Sequence, residues 1–239
     1  RCRSIPTPAL SVAPVVGSKV TLIEYMPQLL PIEEPEVGKE LQKHFSRRGI
    51  DCLVGTKLET VETTANGVKV TATNAEGQKV TVEGEYLLSA VGRGPLTADI
   101  GLQHTNIKLE KNGTIAVDAM QRTSEPNVYA IGDITPYPWL AHVASAQGIV
   151  AVEAMAGKNP PPINYDRVPN ATYCYPEVAS VGLTEKKAKE RGYDVKVGTF
   201  PFSAVTKSSI SNEGIGFVKI VSEKKYDEVL GVHLIGPHA

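Results

Sequence analysis

The residues best suited to bind a cofactor lie between Asn127 and Asp133. A short apolar run, predicted to be a β-strand, ends at Gly132, whose missing side chain lets a ligand approach the backbone, and Asp133 then offers a carboxylate to ligand hydroxyl groups. The helix predicted from Leu140 to Met155 adds the backbone N–H groups of its first turn. The same pattern also fits an ordinary strand-to-helix turn in which the aspartate is a cap.

Glu24 is a second candidate for cofactor binding. It follows an apolar segment, and an acidic residue at the C-terminal end of the second strand of a dinucleotide fold accepts hydrogen bonds from both ribose hydroxyls of adenosine while repelling a 2′-phosphate. No arginine follows it directly, since Tyr25, Met26 and Pro27 come next. The pattern favours NAD over NADP, although a solvated glutamate at a strand end has the same appearance.

The cysteines and histidines indicate neither a redox pair nor a metal site. Cys2, Cys52 and Cys174 form no Cys-x-x-Cys motif, and buried, unreactive thiols are the simpler interpretation. The five histidines have no metal-ligand spacing with carboxylates or cysteines. We therefore predict no metal site and assign no catalytic residue, and we interpret His142 as a packing and hydrogen-bonding histidine.

Composition excludes several classes of partner. The 239 residues carry 25 basic and 26 acidic side chains, for a formal net charge of −1, which gives no electrostatic basis for binding nucleic acid or an anionic membrane. No apolar run approaches the ~20 residues that span a bilayer, and the N-terminus lacks the apolar region of a signal peptide. We expect a cytoplasmic location.

The elements that must position these residues begin with a strand–helix–strand unit. Residues 19–24 are predicted to form a buried strand, residues 34–48 an amphipathic helix that Gly49 ends, and residues 51–54 the next strand. Alternating segments at 58–62, 68–73 and 79–83 then predict an antiparallel meander, and residues 86–91 predict a return to an apolar strand.

The C-terminal part predicts a second, α+β domain. Residues 157–162, Gly-Lys-Asn-Pro-Pro-Pro, are typical of a linker. One helix is predicted from Thr184 to Arg191, with Thr184 as its N-terminal cap. The strands predicted around it in an antiparallel sheet are 171–174, 178–182, 195–201, 216–221 and 229–235.

Four segments of the chain carry a resemblance to a known family. They are Val20–Glu24, Ser89–Pro95, the Gly132–Asp133 turn with Leu140–His142, and Tyr175–Thr184. In this order they resemble the two-dinucleotide flavoprotein disulfide reductases, and among them most closely the dihydrolipoamide dehydrogenase group. The resemblance runs from about Gly17 to Ala239. It implies an α/β fold with a Rossmann-like NAD-binding domain and meander at 1–117, the C-terminal edge of an FAD-binding domain at 118–160, and part of an α+β dimerisation domain at 161–239.

The resemblance also implies roles for individual residues. Asp133 matches the residue that binds the ribitol chain of FAD, and Ala141 matches one whose backbone lies beside the flavin ring. Glu24 and Leu58 match residues on the adenosine side of NAD. The residues that match positions beside the nicotinamide nucleotide are Ala90, Val91, Gly92 and Arg93, although Arg93 is equally suited to be a structural ion-pair partner.

The activity implied by the resemblance is the FAD-dependent oxidation of dihydrolipoamide with reduction of NAD. Members of this group are homodimers, and their partners are the lipoyl domains of 2-oxoacid dehydrogenase complexes. Two alternatives remain open. One is another flavoprotein disulfide reductase of the mercuric reductase or soluble transhydrogenase type, and the other is a non-catalytic fragment that binds partner subunits.

Residues 1–16 depart from the resemblance. A dinucleotide-binding chain needs a Gly-x-Gly-x-x-Gly turn here, whereas this segment has no glycine and carries prolines at Pro6 and Pro8. We hypothesise that a reading-frame error or an altered exon produced it, which resequencing of the coding DNA would test. The resemblance further implies a preceding FAD and dithiol half and a following His–Glu segment, so we expect the fragment alone to be inactive.

Overall fold

The computed structural model describes residues 13–239, which form two compact units. Residues 13–91 and 169–239 together form one unit, which we call the discontinuous unit, and residues 92–168 form the other, the continuous unit. The domain boundaries predicted at residues 117 and 160 stay a prediction. Of the segment predicted to be aberrant, residues 1–12 lie outside the described part of the chain, and Ala13–Val16 form a short 3-10 helix.

The predicted strand–helix–strand unit is confirmed. Strand β1 (Val20–Ile23) and strand β2 (Ile50–Leu53) pair in parallel, with Leu22 opposite Cys52. Helix α1 (Pro35–Arg47) connects them. Proline is favoured in a first helical turn because the missing N–H has no partner there, and Gly49, at φ 80°, allows the left-handed turn that ends the helix.

The apolar face of α1 belongs to a core that joins distant parts of the sequence. Leu41 and Phe45 are fully buried, as their helical spacing predicts. They belong to one cluster with residues of the C-terminal sheet, among them Val178 and Ile235. Because these residues lie more than 130 positions from α1, the discontinuous unit depends on contacts between the two ends of the described chain.

The meander is also confirmed. Strands β3 (Lys57–Thr64), β4 (Gly67–Thr73) and β5 (Lys79–Gly84) form an antiparallel sheet in the order β3-β4-β5. The alternation of apolar and polar residues is visible in β4, where Val70 and Ala72 are buried. Packing is confined to the central strand, because all residues of β3 are exposed and none of β5 is buried.

The prediction of a strand at residues 86–91 was wrong. This segment is irregular, and Tyr86 and Val91 are 91% and 82% exposed. In a doubly wound fold the fourth strand pairs with the first, whereas β1 and β2 take the second and third places. Within residues 13–239 no strand fills the first place, so the apolar segment has no strand beside it with which to pair.

The antiparallel C-terminal sheet is confirmed and has five strands in the order β6-β7-β10-β9-β8. Helix α3 (Glu185–Glu190) follows β7, and the Thr184 hydroxyl caps it by accepting the Lys187 N–H at 3.3 Å. A short helix α4 (Thr206–Ile210) was not predicted. The strands are β6 (Asn170–Thr172), β7 (Glu177–Gly182), β8 (Val195–Pro201), β9 (Phe217–Glu223) and β10 (Val229–Gly236).

The continuous unit contains helix α2 (Ala141–Met155), which confirms the helix predicted from Leu140. The apolar run before Gly132 forms only an isolated bridge between Tyr129 and Arg122, so the strand predicted there was wrong in extent. None of the helices in residues 13–239 combines the length and the apolar character needed to cross a membrane.

Candidate functional site

The turn at Gly132 and Asp133 is a tight, internally bonded structure at the surface of the continuous unit. Gly132 has φ 75°, a backbone conformation that residues other than glycine rarely adopt, and it begins the 3-10 helix Gly132–Ile134. Its carbonyl accepts two hydrogen bonds from Thr135, from the N–H at 3.0 Å and from the hydroxyl at 2.8 Å. Asp133 is exposed, as a ligand-binding carboxylate would be.

A buried glutamine on α2 holds the turn from beneath. The Gly132 N–H donates to Gln147 Oε1 at 2.7 Å, and the Gln147 amide nitrogen lies 3.2 Å from the Tyr165 hydroxyl and 3.4 Å from the Thr135 hydroxyl. Gln121 donates to the same Tyr165 hydroxyl at 3.3 Å. Gln147 and Thr135 are 0% exposed and Gln121 is 1% exposed, so these three side chains are closed to water, while Tyr165 is half-buried.

The aromatic ring of Tyr165 is fixed by a contact of its own, in addition to the hydrogen bonds to its hydroxyl. It stacks on Tyr137 with the ring centroids 3.9 Å apart and the planes 5° from parallel.

Sequence reasoning missed Gln121, Gln147 and Tyr165. The available signal was Gln147 itself, a polar residue in a helix whose neighbours Val143, Val150 and Ala151 are buried.

The structure brings Arg93 and Asp133 together from motifs 40 positions apart. Arg93 Nη1 lies 3.4 Å from Asp133 Oδ2, and Nη2 donates to the Trp139 carbonyl at 3.3 Å. The guanidinium also lies over the Trp139 ring, 5.4 Å from its centroid. The two side chains of the pair are 41% and 58% exposed. The structure therefore shows Arg93 in an ion pair, which is one of its two expected roles, while its contact with a cofactor stays a prediction.

Ala141 is the first residue of α2 and lies at the surface next to Trp139. Trp139 Nε1 donates to the Thr135 carbonyl at 3.0 Å, which ties the residues between the turn and the helix to the same hydrogen-bonded group. Since Trp139 is the chain's single tryptophan, it is a built-in probe of this site.

Glu24 lies where the sequence predicts, directly after β1. Its N–H donates to the Leu53 carbonyl at 2.9 Å, and its Oε1 accepts the Met26 N–H at 2.7 Å. Glu24 is only 7% exposed, so its carboxylate is held in one orientation by the loop that follows the strand. The alternative interpretation of Glu24 as a solvated glutamate at a strand end is therefore wrong.

The other predicted NAD-binding residues lie at the surface. Leu58, on β3, is 41% exposed. Ala90 and Val91 lie in the irregular segment that ends the first part of the discontinuous unit. Gly92 and Arg93 begin the continuous unit, and Gly92 has φ 130°. Their contacts with a nucleotide stay a prediction.

The discontinuous unit contains a cluster of charges around the buried Lys219 that sequence reasoning missed. Lys219 Nζ on β9 lies 2.9 Å from Glu34, 3.0 Å from Glu36 and 3.0 Å from Glu185. These three carboxylates are close enough together to surround a cation, and the Lys219 ammonium takes that place. We call these four residues the lysine cluster.

His233 on β10 lies beside the lysine cluster. Its Nδ1 is 3.7 Å from Glu33 Oε2, and its Nε2 is 3.1 Å from the Leu183 carbonyl and 3.9 Å from Glu34 Oε1. Burial by itself disfavours the charged ring, but the Glu33 carboxylate, the Leu183 carbonyl and the Glu34 charge outweigh it and raise the pKa of His233. Glu33 is fixed in turn by Asn170 at 2.9 Å and Ser180 at 3.0 Å.

The two described cysteines are unreactive thiols, in agreement with the simpler interpretation of the sequence. Burial, with a smaller contribution from Asp51, raises the pKa of Cys52 to about 11. Burial, with a smaller contribution from Glu177, raises the pKa of Cys174 to about 12. Both groups are protonated near neutral pH, whereas the thiolate is the nucleophile in disulfide exchange.

Comparison with protein families matches both parts of the chain. Residues 9–148 match the pyridine nucleotide-disulphide oxidoreductase family, and residues 168–239 match the dimerisation domain of pyridine nucleotide-disulphide oxidoreductases. The first match begins before Gly17, so the resemblance extends further towards the N-terminus than the sequence motifs alone indicate.

Individual relatives agree with these matches. The chain is 44% identical over 224 residues to dihydrolipoyl dehydrogenase of Bacillus subtilis, covering 93% of this chain and 47% of that protein. It is 38% identical over 225 residues to mitochondrial dihydrolipoyl dehydrogenase of Pisum sativum, covering 94% and 45%. The crystal structure of LpdA from Mycobacterium tuberculosis superposes with a TM-score of 0.86 at 28% identity, covering 97% and 50%. The chain thus spans about half the length of the relatives it matches.

Proposed function

The chain belongs to the pyridine nucleotide-disulphide oxidoreductase family, and on this basis we propose that it is part of a dihydrolipoyl dehydrogenase. Such an enzyme oxidises dihydrolipoamide and reduces NAD, with FAD supplying the transfer of electrons between them. The observation that carries the proposal is the 44% identity to the Bacillus subtilis enzyme over almost the whole chain. The mercuric reductase, transhydrogenase and non-catalytic alternatives are not favoured by the similarity to dihydrolipoyl dehydrogenases at 37–44% identity.

The described residues of the continuous unit fit FAD. Asp133 is an exposed carboxylate suited to accept hydrogen bonds from the ribitol hydroxyls, and Gly132 keeps the adjoining backbone free of a side chain. Ala141 lies in the first turn of a fifteen-residue helix, whose N–H groups and dipole favour an electron-rich ligand atom. Asp133 would therefore bind the ribitol, and the backbone at Ala141 would face the flavin ring.

The discontinuous unit would bind the adenosine part of NAD through Glu24 and Leu58. Glu24 is held by the Met26 N–H, so its carboxylate does not have to be reoriented before it binds ribose hydroxyls. Ala90, Val91, Gly92 and Arg93 would line the nicotinamide side. Val91, Gly92 and Arg93 are exposed and Ala90 is half-buried, which agrees with this role without testing it.

We place a homodimer contact on the five-stranded sheet, because residues 168–239 match a dimerisation domain. The sheet presents apolar rows on the face opposite His233. Val181, Val232 and Ile220 stand opposite one another on three neighbouring strands, and Val181 and Ile220 are 36% and 40% exposed. Light scattering over a range of concentrations would test this, and a monomer at every concentration would contradict it.

Two finer parts of the proposal concern the cellular setting. Lipoyl domains of 2-oxoacid dehydrogenase complexes would be the partners, and the cytoplasm would be the location. Both rest on the similarity to dihydrolipoyl dehydrogenases such as that of Bacillus subtilis. Pull-down with a lipoylated domain and its unlipoylated form, together with cell fractionation, would test them.

The sharpest test of the activity is a chimera in which this chain replaces the matching 224 residues of the Bacillus subtilis enzyme. The host supplies the dithiol and the His–Glu segment that the resemblance places outside this chain. We expect the purified chimera to retain FAD and to reduce NAD with dihydrolipoamide. A folded, dimeric chimera without turnover would contradict the proposal.

A variant of Glu24 in the same chimera tests the proposed binding of NAD. In the chimera, Glu24→Ala removes a charged acceptor from two ribose hydroxyls, a loss of about 1.5–3 kcal/mol for a hydrogen bond to a charged group. We expect the ratio of kcat/KM for NAD over NADP to fall by at least about tenfold, since 1.4 kcal/mol corresponds to a factor of ten. Glu62→Ala, on the exposed strand β3, is the control.

A further inference from the structure

We propose that Gln147 is a positioning residue for flavin binding, and that Tyr165 fixes the orientation of its amide. Gln147 does not lie at the surface, and it bonds the turn at Gly132 and Asp133, which we call the flavin-binding turn, through the Gly132 N–H. This inference rests on the proposed function for its flavin part. Its structural part, the control of the turn by Gln147, stands without it.

The first step is the bond between Gly132 and Gln147. At 2.7 Å it is a short N–H···O hydrogen bond, and its acceptor is fully buried. Without that acceptor the Gly132 N–H would face an apolar interior without a partner, which is unfavourable enough to turn the peptide towards water. Because Asp133 is the next residue, a rotation of this peptide displaces the carboxylate that would bind ribitol.

The second step is the choice between the two ends of the glutamine amide. Only the oxygen can accept the Gly132 N–H, and an amide rotated by half a turn would present its NH2 group to another donor. The Thr135 hydroxyl already donates to the Gly132 carbonyl, so it can only accept from the Gln147 nitrogen, at 3.4 Å, and this selects the productive orientation. The Tyr165 hydroxyl, at 3.2 Å, accepts from the same nitrogen and stabilises that orientation. Tyr165 is itself held by its stacking on Tyr137 and by the Gln121 amide.

A consequence is that the flavin-binding turn is controlled from beyond the linker that follows α2. Tyr165 lies 32 positions after Asp133, past the proline run at residues 160–162, yet it belongs to the same compact unit. The continuous unit therefore needs its last residues, as well as the Gly-Asp motif, to hold this turn.

The experiment uses the full chain, isotope-labelled for NMR, with the Gly132 amide and the Trp139 indole N–H as reporters. Gln147→Met keeps the length of the side chain and removes the acceptor. Gln147→Glu keeps an acceptor for the Gly132 N–H, and the Tyr165 hydroxyl can turn to donate to the carboxylate, while the Thr135 hydroxyl keeps its bond to the Gly132 carbonyl. Gln103→Met makes the same chemical change at an exposed glutamine and is the control.

We expect the Gly132 amide proton to resonate far downfield in the parent and in Gln147→Glu, and to move upfield in Gln147→Met. Titration with FAD should shift both reporters in the parent. We expect Gln147→Met to bind FAD about tenfold more weakly, since a buried N–H without a partner costs about one hydrogen bond. Gln147→Glu should restore most of the affinity, and Gln103→Met should equal the parent.

An unchanged Gly132 resonance in Gln147→Met would overturn the inference, and so would a changed resonance with unchanged FAD affinity. A folded parent chimera with the Bacillus subtilis enzyme that retains no FAD would instead overturn the proposed flavin role, together with the flavin part of this inference. If Gln147→Met does not fold, Tyr165→Phe decides the question, because it keeps the ring and the Gly132 acceptor. Weaker FAD binding with a displaced Gly132 resonance is then expected, and parent values for both would overturn the inference.

Discussion

Lys219 and Arg93 each pair with carboxylates, yet the two pairs lie in opposite surroundings. Lys219 and Glu34 have side chains that are 3% and 2% exposed, whereas Arg93 and Asp133 are 41% and 58% exposed. A buried charge is costly without its partner, whereas an exposed charge can exchange its partner for water or a ligand. The comparison indicates that the lysine cluster maintains the fold, while the Arg93–Asp133 pair leaves Asp133 accessible for its proposed role in binding FAD.

The two sites also differ in the number of partners. Lys219 contacts three carboxylates from two separate parts of the discontinuous unit, residues 34–36 and residue 185, and all three distances are 3.0 Å or less. Arg93 has one carboxylate, at 3.4 Å. Removing one side chain from each site should therefore have very different effects on stability.

The largest expected effect comes from Lys219→Met. It keeps an unbranched side chain but leaves Glu34 buried without its cation, and breaking a buried ion pair in this way costs about 3–5 kcal/mol. Urea unfolding of the discontinuous unit, followed by circular dichroism, should show a loss of this size. The pKa of Lys219 is raised by its partners, so it stays charged at neutral pH and the parent has the full interaction.

Lys224→Met is the matched control for that measurement. Lys224 pairs with Asp194 at 2.6 Å, and both side chains are more than half exposed. We expect it to change the free energy of unfolding by less than about 1 kcal/mol. Similar losses in the two variants would contradict the division between buried and exposed pairs.

A smaller effect is expected from pH, through His233. Since the folded state raises the pKa of His233 above the ordinary 6.5, its contribution to stability is fully present below about pH 6.5 and is lost as the pH rises through the folded pKa. The groups that face it are Glu33, Glu34 and the Leu183 carbonyl. Unfolding measured from pH 6 to pH 9 should show falling stability.

The pH dependence can be assigned with His233→Gln, which keeps a hydrogen-bonding side chain but does not titrate. We expect its stability to change less between pH 6 and pH 9 than that of the parent. A parent whose stability rises over this range, or a variant with the parent's full slope, would exclude His233 as the source.

The smallest expected effect comes from Arg93→Met. Because the ion pair with Asp133 is exposed, its loss should change the free energy of unfolding by less than about 1 kcal/mol. FAD binding, followed by the Gly132 resonance, should remain, since Asp133 keeps its place. A stability loss near that of Lys219→Met would show that the Arg93–Asp133 pair is structural after all.

The regular elements could be predicted from the sequence because their signals are local. Helix α1 follows from the spacing of Leu41 and Phe45, and the meander follows from alternation and its glycine turns. The segment at 86–91 is apolar enough for a strand, but a strand also needs a neighbour, which local pattern does not supply. The apolar run before Gly132 also lacks neighbouring strands, and it forms only one isolated bridge, between Tyr129 and Arg122.

The candidate site was predicted in part for a related reason. Gly132, Asp133 and Glu24 stand in recognisable motifs, and the structure places them at a turn and a strand end. Gln147 and the lysine cluster work through partners 12 to 185 positions away, and a single sequence does not show such pairings. A lysine inside the apolar strand Phe217–Glu223 was a signal that something acidic had to face it.

The shared core of α1 and the C-terminal sheet has a consequence for synthesis on the ribosome. Val178 and Ile235 complete the cluster that contains Leu41 and Phe45, so the first part of the discontinuous unit has to wait, with its apolar helix face uncovered, until the last strand emerges. Residues 92–168 are all present earlier. The continuous unit can therefore fold first, and a stalled or truncated nascent chain would expose α1 to chaperones and proteases.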